Sequence, residues 1–134
     1  MIIFYIILKM DHIDIKQIAV LLFFIMFIFS GFRKIPNFVK NTKGLAKLTG
    51  LPSPINELGM IGVIILEIIG SFVLIYYFWG GKLIPKEIVK YTSLAFLAFL
   101  IVVTPLYHPP TDKIIPFLSN VTTFAGLLLI YNMI

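Results

Sequence analysis

Long apolar runs alternate with short polar or Pro/Gly-rich breaks along this chain, and that rhythm predicts four helices long enough to cross a bilayer. The first run extends from about Ile13 to Phe32, and Gln17 to Phe32 carries no charge. The second extends from about Ile55 to Trp79, where Glu67 and Ser71 are the polar interruptions beyond Leu58. The third runs from about Ile88 to Tyr107, with Pro105 near its end, and stops at His108, Pro109 and Pro110. The fourth runs from about Ile114 to Ile134 without a charge. A helix needs about 20 residues to cross a hydrocarbon core of about 30 Å. Strands of a membrane barrel alternate over only about 10 residues, whereas these runs are continuously apolar. Helices that satisfy their own backbone hydrogen bonds are the expected solution in lipid. The predicted fold is all-α: a single-domain four-helix transmembrane bundle, with spans near 13–32, 55–79, 88–107 and 114–134. An even number of crossings puts both termini on the same side.

The breaks have their own character. Arg33 to Pro54 contains Pro36, Gly44, Gly50, Pro52 and Pro54, which reads as a polar loop. Within it, Asn37 to Leu48 is a candidate for a short interfacial helix, because Phe38, Leu45 and Leu48 fall near one face. Gly80, Gly81, Lys82 and Pro85 form the turn between spans two and three, and Tyr76, Tyr77 and Trp79 suit the headgroup layer just before it. Met1 to Leu8 is apolar but too short to span. It lacks a basic leader and a small-residue cleavage site, so a cleaved signal peptide is not expected. It either lies at the interface or lengthens the first helix, or else translation begins at Met10.

Composition points the same way. Of 134 residues, 60% are hydrophobic and 13% charged, against about 25% charged in a typical soluble domain. Mean hydropathy is +1.04. Lipid is therefore the natural surroundings, and the bilayer is the first partner. The formal net charge of +5 sits on residues flanking the apolar runs, where anionic headgroups explain it better than nucleic acid. The face holding the first and third loops carries six basic residues: Arg33, Lys34, Lys40, Lys43, Lys47 and Lys113. The other carries five: Lys9, Lys16, Lys82, Lys86 and Lys90. That balance gives no orientation by the positive-inside rule. The absence of cysteine excludes disulfides, thiol catalysis and cysteine metal sites.

Glu67 is the most informative residue. A carboxyl in a span costs roughly 2.5–3.5 kcal/mol on insertion scales and as a rule faces the bundle interior. Helical spacing puts Val63, Gly70 and Ser71 on its face, and the two small residues let another helix approach. One reading is a proton-carrying or ligand-binding carboxyl; the other is a carboxyl that only locks helices together. Arg33 and Lys34 close span one, and His108 closes span three, at the same end of the bundle. Ser30 and Thr104 lie one turn deeper. Together they outline a polar path towards Glu67. A direct Arg33–Glu67 pair would require Arg33 to reach inward by more than a turn, and at least one of Arg33 and Lys34 is expected to snorkel to headgroups. A histidine changes charge near neutral pH, which suits His108 to proton transfer; the plainer reading is an interfacial residue before a helix stop. His12 is at the opposite end, so no metal site is expected. Ser119, Thr122, Thr123 and Gly126 form a small, polar stripe suited to close helix packing. No phosphate loop, nucleophile elbow or zinc motif occurs.

Two segments carry a resemblance. FSGFRKIPNF (Phe29 to Phe38) resembles the end of the first helix in the DoxX family, and GVIILEIIGSFVLI (Gly62 to Ile75) resembles its second helix. The turn Gly50-Leu51-Pro52 and the position of His108 are similar too. The resemblance covers roughly Lys16 to the C-terminus and makes Gly31, Lys34, Glu67, Gly70 and His108 the shared positions. It implies a four-helix membrane protein. One related branch, DoxD, looks like a quinone-reducing subunit of a thiosulfate oxidoreductase, and other members are similar to membrane organisers of redox or assembly complexes. This chain has Lys16-Gln17 where the family often carries Arg, and it has neither cysteine nor a second intramembrane acid. Those departures argue against redox catalysis by the chain alone.

The expectation is thus a DoxX-like membrane subunit. Glu67 and His108 are the candidate proton donors. Arg33, Lys34, Ser30, Thr104 and Glu67 would line a ligand pocket, for a quinone or for protons. The alternative is a non-catalytic membrane scaffold whose basic loop docks a protein partner. A small transporter is disfavoured by the single intramembrane charge.

Overall fold

The computed structural model describes residues 2–4, 12–109, 111 and 113–134, with side chains from residue 15 onward in the first helix. Most of the Met1–Leu8 stretch and Met10 lie outside the described residues, as does the side chain of His12.

Five helices account for most of the described chain. They are α1 (His12–Lys34), α2 (Phe38–Thr49), α3 (residues 53–78), α4 (Lys86–Tyr107) and α5 (Ile114–Met133). All but α2 are long and apolar enough to cross a membrane. The chain is a four-helix transmembrane bundle, a multi-pass membrane protein. The helices follow the expected spans closely: α3 starts two residues earlier than expected and α4 also two earlier.

Local chemistry explains the ends. Pro54 sits in the first turn of α3, where a missing N–H costs nothing and the fixed φ fits a helix. Gly50 ends α2 in the left-handed region at φ 69°, and its N–H donates to Ala46 O at 2.9 Å, a favourable glycine stop. The proline- and glycine-rich segment after Arg33 is therefore mostly helical. Gly44 is absorbed inside α2, and the breakers act only at its borders. The inward face of α2 is Phe38, Thr42 and Leu45; Leu48, expected beside them, is instead 46% exposed on the flank.

The core lies between α1, α3 and α4. Phe24, Phe27 and Phe96 stack edge-on and tilted, with centroids 5.0–6.1 Å apart, and Leu74, Val89, Leu100 and Leu127 close around them. In lipid, association gains come from such packing rather than from water exclusion. Two glycines let helices meet. A Cβ on Gly31 of α1 would lie 2.6 Å from Ile68 Cγ1 and 3.2 Å from Glu67 Cβ, and one on Gly70 would lie 3.0 Å from Phe96 Cε2 of α4. α1 and α4 therefore press on α3 at neighbouring levels, on different faces.

The small, polar stripe of α5 divides. Gly126 packs under Phe23 of α1, while Ser119 and Thr122 are exposed. The hydroxyls of Thr122 and Thr123 donate back to the carbonyls of Leu118 and Ser119, which satisfies them within the helix.

Candidate functional site

α3 is not one uniform helix. Residues Leu66–Gly70 form a single π-helical turn, and Glu67 lies in it. Such turns insert one extra residue and recur at functional sites. The Ser71 hydroxyl donates to the Glu67 carbonyl, giving that oxygen a partner where the regular ladder is interrupted.

The register of α1 against α3 brings the polar residues together. The Trp79 indole N–H donates to Gln17 O at 3.1 Å, which pairs the end of α3 with the start of α1. From that level, Glu67 lies about 18 Å along α3 and Lys34 about 25 Å along α1, at 1.5 Å per residue. The difference is about one helical turn, within reach of a lysine side chain folding inward. Lys34 Nζ donates to Glu67 Oε1 at 2.6 Å and to Ser30 Oγ at 2.6 Å. Glu67 is 3% exposed and Lys34 24%. The pair thus spans from the interface to the buried carboxyl.

Arg33 takes the other role foreseen for this doublet. It is exposed, its guanidinium lies 5.9 Å from the Phe29 ring centroid, and its carbonyl accepts from Asn37 Nδ2 at 3.0 Å. It does not line the site.

Ser30, Lys34 and Glu67 form the polar floor of a cavity of about 500 Å³. Its walls are apolar, with Phe27 from α1, Leu45 from α2, Met60 and Val63 from α3, and Phe99 and Val103 from α4. His108 stands at the rim, exposed. Thr104 is elsewhere: it accepts a hydrogen bond from Asn120 Nδ2 at 3.3 Å and lines a second, smaller hollow between α4 and α5. The predicted polar path therefore assembles from Ser30, Lys34, Glu67 and His108, without Arg33 or Thr104.

The polar lining residues Asn56, Thr49, Tyr107 and Asn120 escaped sequence reasoning, and the first two form a bonded knot. Asn56, 2% exposed, donates to Leu51 O at 2.7 Å and Pro52 O at 3.2 Å, and accepts from Thr49 Oγ1 at 2.7 Å. Thr49 Oγ1 also accepts from Leu51 N at 3.2 Å. This knot straps the end of α2 onto the start of α3, over the cavity. An amide near the start of an apolar span was the available signal.

The floor retains hydrogen-bonding capacity. An ammonium has three donors; Lys34 commits two, to Ser30 and Glu67. Glu67 Oε2 has no hydrogen bond among the described residues. One donor and one acceptor thus stand side by side beneath an apolar chamber. Among the described residues, no three His, Cys, Asp or Glu side chains converge as metal ligands.

A bundle of four membrane-crossing helices enclosing an apolar chamber with a charged floor is the class that fold and site define. No family model, curated protein or solved structure matches the chain.

Proposed function

We propose that the chain is a DoxX-like membrane subunit that binds the head group of a membrane quinone in this cavity, as part of a quinone-linked oxidoreductase. The observation that carries the reading is the pairing of a 500 Å³ apolar cavity with the Lys34–Glu67 floor. Small-molecule sites combine mostly apolar walls with a few convergent polar groups in about this volume range, 300–1,000 Å³. A quinone ring matches both parts: its faces are apolar and its carbonyls accept hydrogen bonds. When bound, the quinone supplies the electron-carrying chemistry. The chain's own residues hold and protonate. The third N–H of Lys34 would donate to a quinone carbonyl, Glu67 Oε2 would accept from the hydroxyl that two-electron, two-proton reduction creates, and His108 at the rim would relay the protons from the aqueous face. In such an oxidoreductase a partner subunit would supply the electrons.

A second reading has its own support. Gly31 seats α1 directly against Ile68 and Glu67, and the Lys34–Glu67 pair crosses the same contact. On that reading the pair only fastens α1 to α3. The chain is then a scaffold whose outward lysines on α2 meet a protein partner.

A quinone-binding titration on detergent-purified protein, wild type beside Glu67→Gln, separates the two. The proposal expects saturable binding to the wild type, weakened about tenfold by a substitution that keeps size but removes charge, equivalent to about 1.4 kcal/mol. Absence of binding in both folded proteins would leave the scaffold reading.

A further inference from the structure

The cavity is open at the side. Ile55 and Val102 both line it, yet they are 51% and 64% exposed. They sit on its rim, not inside it. Gly59 and Val63 bring the α3 wall up to the same chamber, and Val102 and Leu106 bring up the α4 wall. α2 reaches the α3 wall here only through Leu45, whose Cδ2 would lie 4.0 Å from a Cβ on Gly59, and Gly59 itself stays exposed.

The depth of the gap decides what it faces. Gly70 lies about 13 Å along α3 from the Trp79–Gln17 level, and Phe96 packs on it. Val102 is six residues further towards the α2 end, about 9 Å on, or about 23 Å in total. That is still within a hydrocarbon core of about 30 Å. On the α3 side Val63 lies at about 24 Å, Gly59 at about 30 Å and Ile55 beyond it, so the Val63–Val102 part of the gap is at hydrocarbon depth and Ile55 marks its interfacial end. The opening therefore gives onto lipid chains. The aqueous end is different: α2 lies across it, strapped down by Thr49 and Asn56.

Resting on the ligand reading above, we infer that the ligand carries a long hydrocarbon chain, which leaves the cavity sideways between α3 and α4 into the bilayer. A chain of that kind does not fit inside the cavity. About 500 Å³ holds a ring and the first part of a chain. A long polyprenyl tail must pass through the wall, and this gap is where the wall is apolar, incomplete and at hydrocarbon depth. The ring then reaches Lys34 and Glu67 without leaving the membrane.

The chain's lack of cysteine allows a clean test. Gly59→Cys and Val102→Cys are introduced together, and the protein is placed in lipid nanodiscs. A reducible bis-thiol linker then closes the gap. The probes are a benzoquinone with a decaprenyl chain and the same ring without a chain. Before linking, both bind. Linking should weaken the long-chain quinone at least about tenfold, leave the chainless ring within about twofold, and be reversed by reductant. Unchanged binding of the long-chain quinone after linking overturns the inference. Equal losses for both probes overturn it as well, since the linker would then merely fill the chamber. Failure of both probes on unlinked and wild-type protein overturns the quinone reading itself, and this inference with it.

Discussion

Removing Lys34 and removing Glu67 should have unequal costs that do not add. In Lys34→Met the carboxyl, 3% exposed, loses its cation. Breaking a buried pair from one side costs about 3–5 kcal/mol, because an uncompensated charge remains. In Glu67→Gln the survivor is an ammonium 24% exposed at the end of α1, still bonded to Ser30. It can swing to the headgroups, so the loss is about 1 kcal/mol, one hydrogen bond. The double variant leaves no charge and should also lie about 1 kcal/mol below wild type. The sum of the single losses would be about 4–6 kcal/mol, so the coupling energy is about 3 kcal/mol or more. The assay is unfolding by rising dodecyl sulfate fraction in mixed micelles, read by far-ultraviolet dichroism and by Trp79 fluorescence. If the single losses add within about 0.5 kcal/mol, the two groups are not a pair in the membrane-embedded protein. If Glu67→Gln is the costlier change, the burial argument has the wrong sign.

Two further variants test other parts of the structure. Asn56→Ala removes one hydrogen bond to Thr49 at the end of α2 and two to Leu51 and Pro52 in the connection that follows; it should cost about 2–3 kcal/mol and raise amide exchange in α2 while the core of α4 stays protected. Ser93, fully buried, has a hydroxyl without a hydrogen-bond partner among the described residues. Ser93→Ala should therefore be neutral or stabilising by up to about 1 kcal/mol in the same unfolding assay, whereas a loss above about 1 kcal/mol would mean that the hydroxyl has a partner.

The four spans were legible because each is a long apolar run with a chemical stop. Proline, glycine and a positively charged or aromatic border mark their ends to within a residue or two. The site was half legible. Glu67 announces itself by its cost in lipid, and the Arg33-Lys34 doublet lies at the correct end. Which of the two turns inward does not follow from either residue alone. It depends on the register of α1 against α3, which Trp79 and Gln17 set 62 positions apart in sequence. α2 was the weakest point of the polar pattern. Its glycine and flanking prolines read as loop, yet Asn37 to Leu48 stands out as a candidate interfacial helix and a helix is found at Phe38–Thr49; its fastening to the start of α3 through Asn56 and Thr49 was not legible. Thr104 was placed by distance from His108 along α4, yet its azimuth turns it to Asn120 on α5.

The π turn adds to the regular spacing a change of phase that an even helical period does not contain. From an even helical period, Val63, Glu67, Gly70 and Ser71 share one face. One extra residue in the turn rotates the second half of α3 by about 100° relative to the first. In the first half and into the turn, Val63 and Glu67 line the cavity. Beyond Glu67, Gly70 meets Phe96, and Ser71 and Leu74 are fully buried. The helix therefore presents a cavity wall in its first half and a packing surface in its second, without a bend from proline. The carboxyl sits at the change of phase, where α1 and Lys34 can reach it from one side and the chamber from the other. A regular helix would have to give up one of those contacts. The interruption is thus what lets Glu67 serve both the bundle and the cavity.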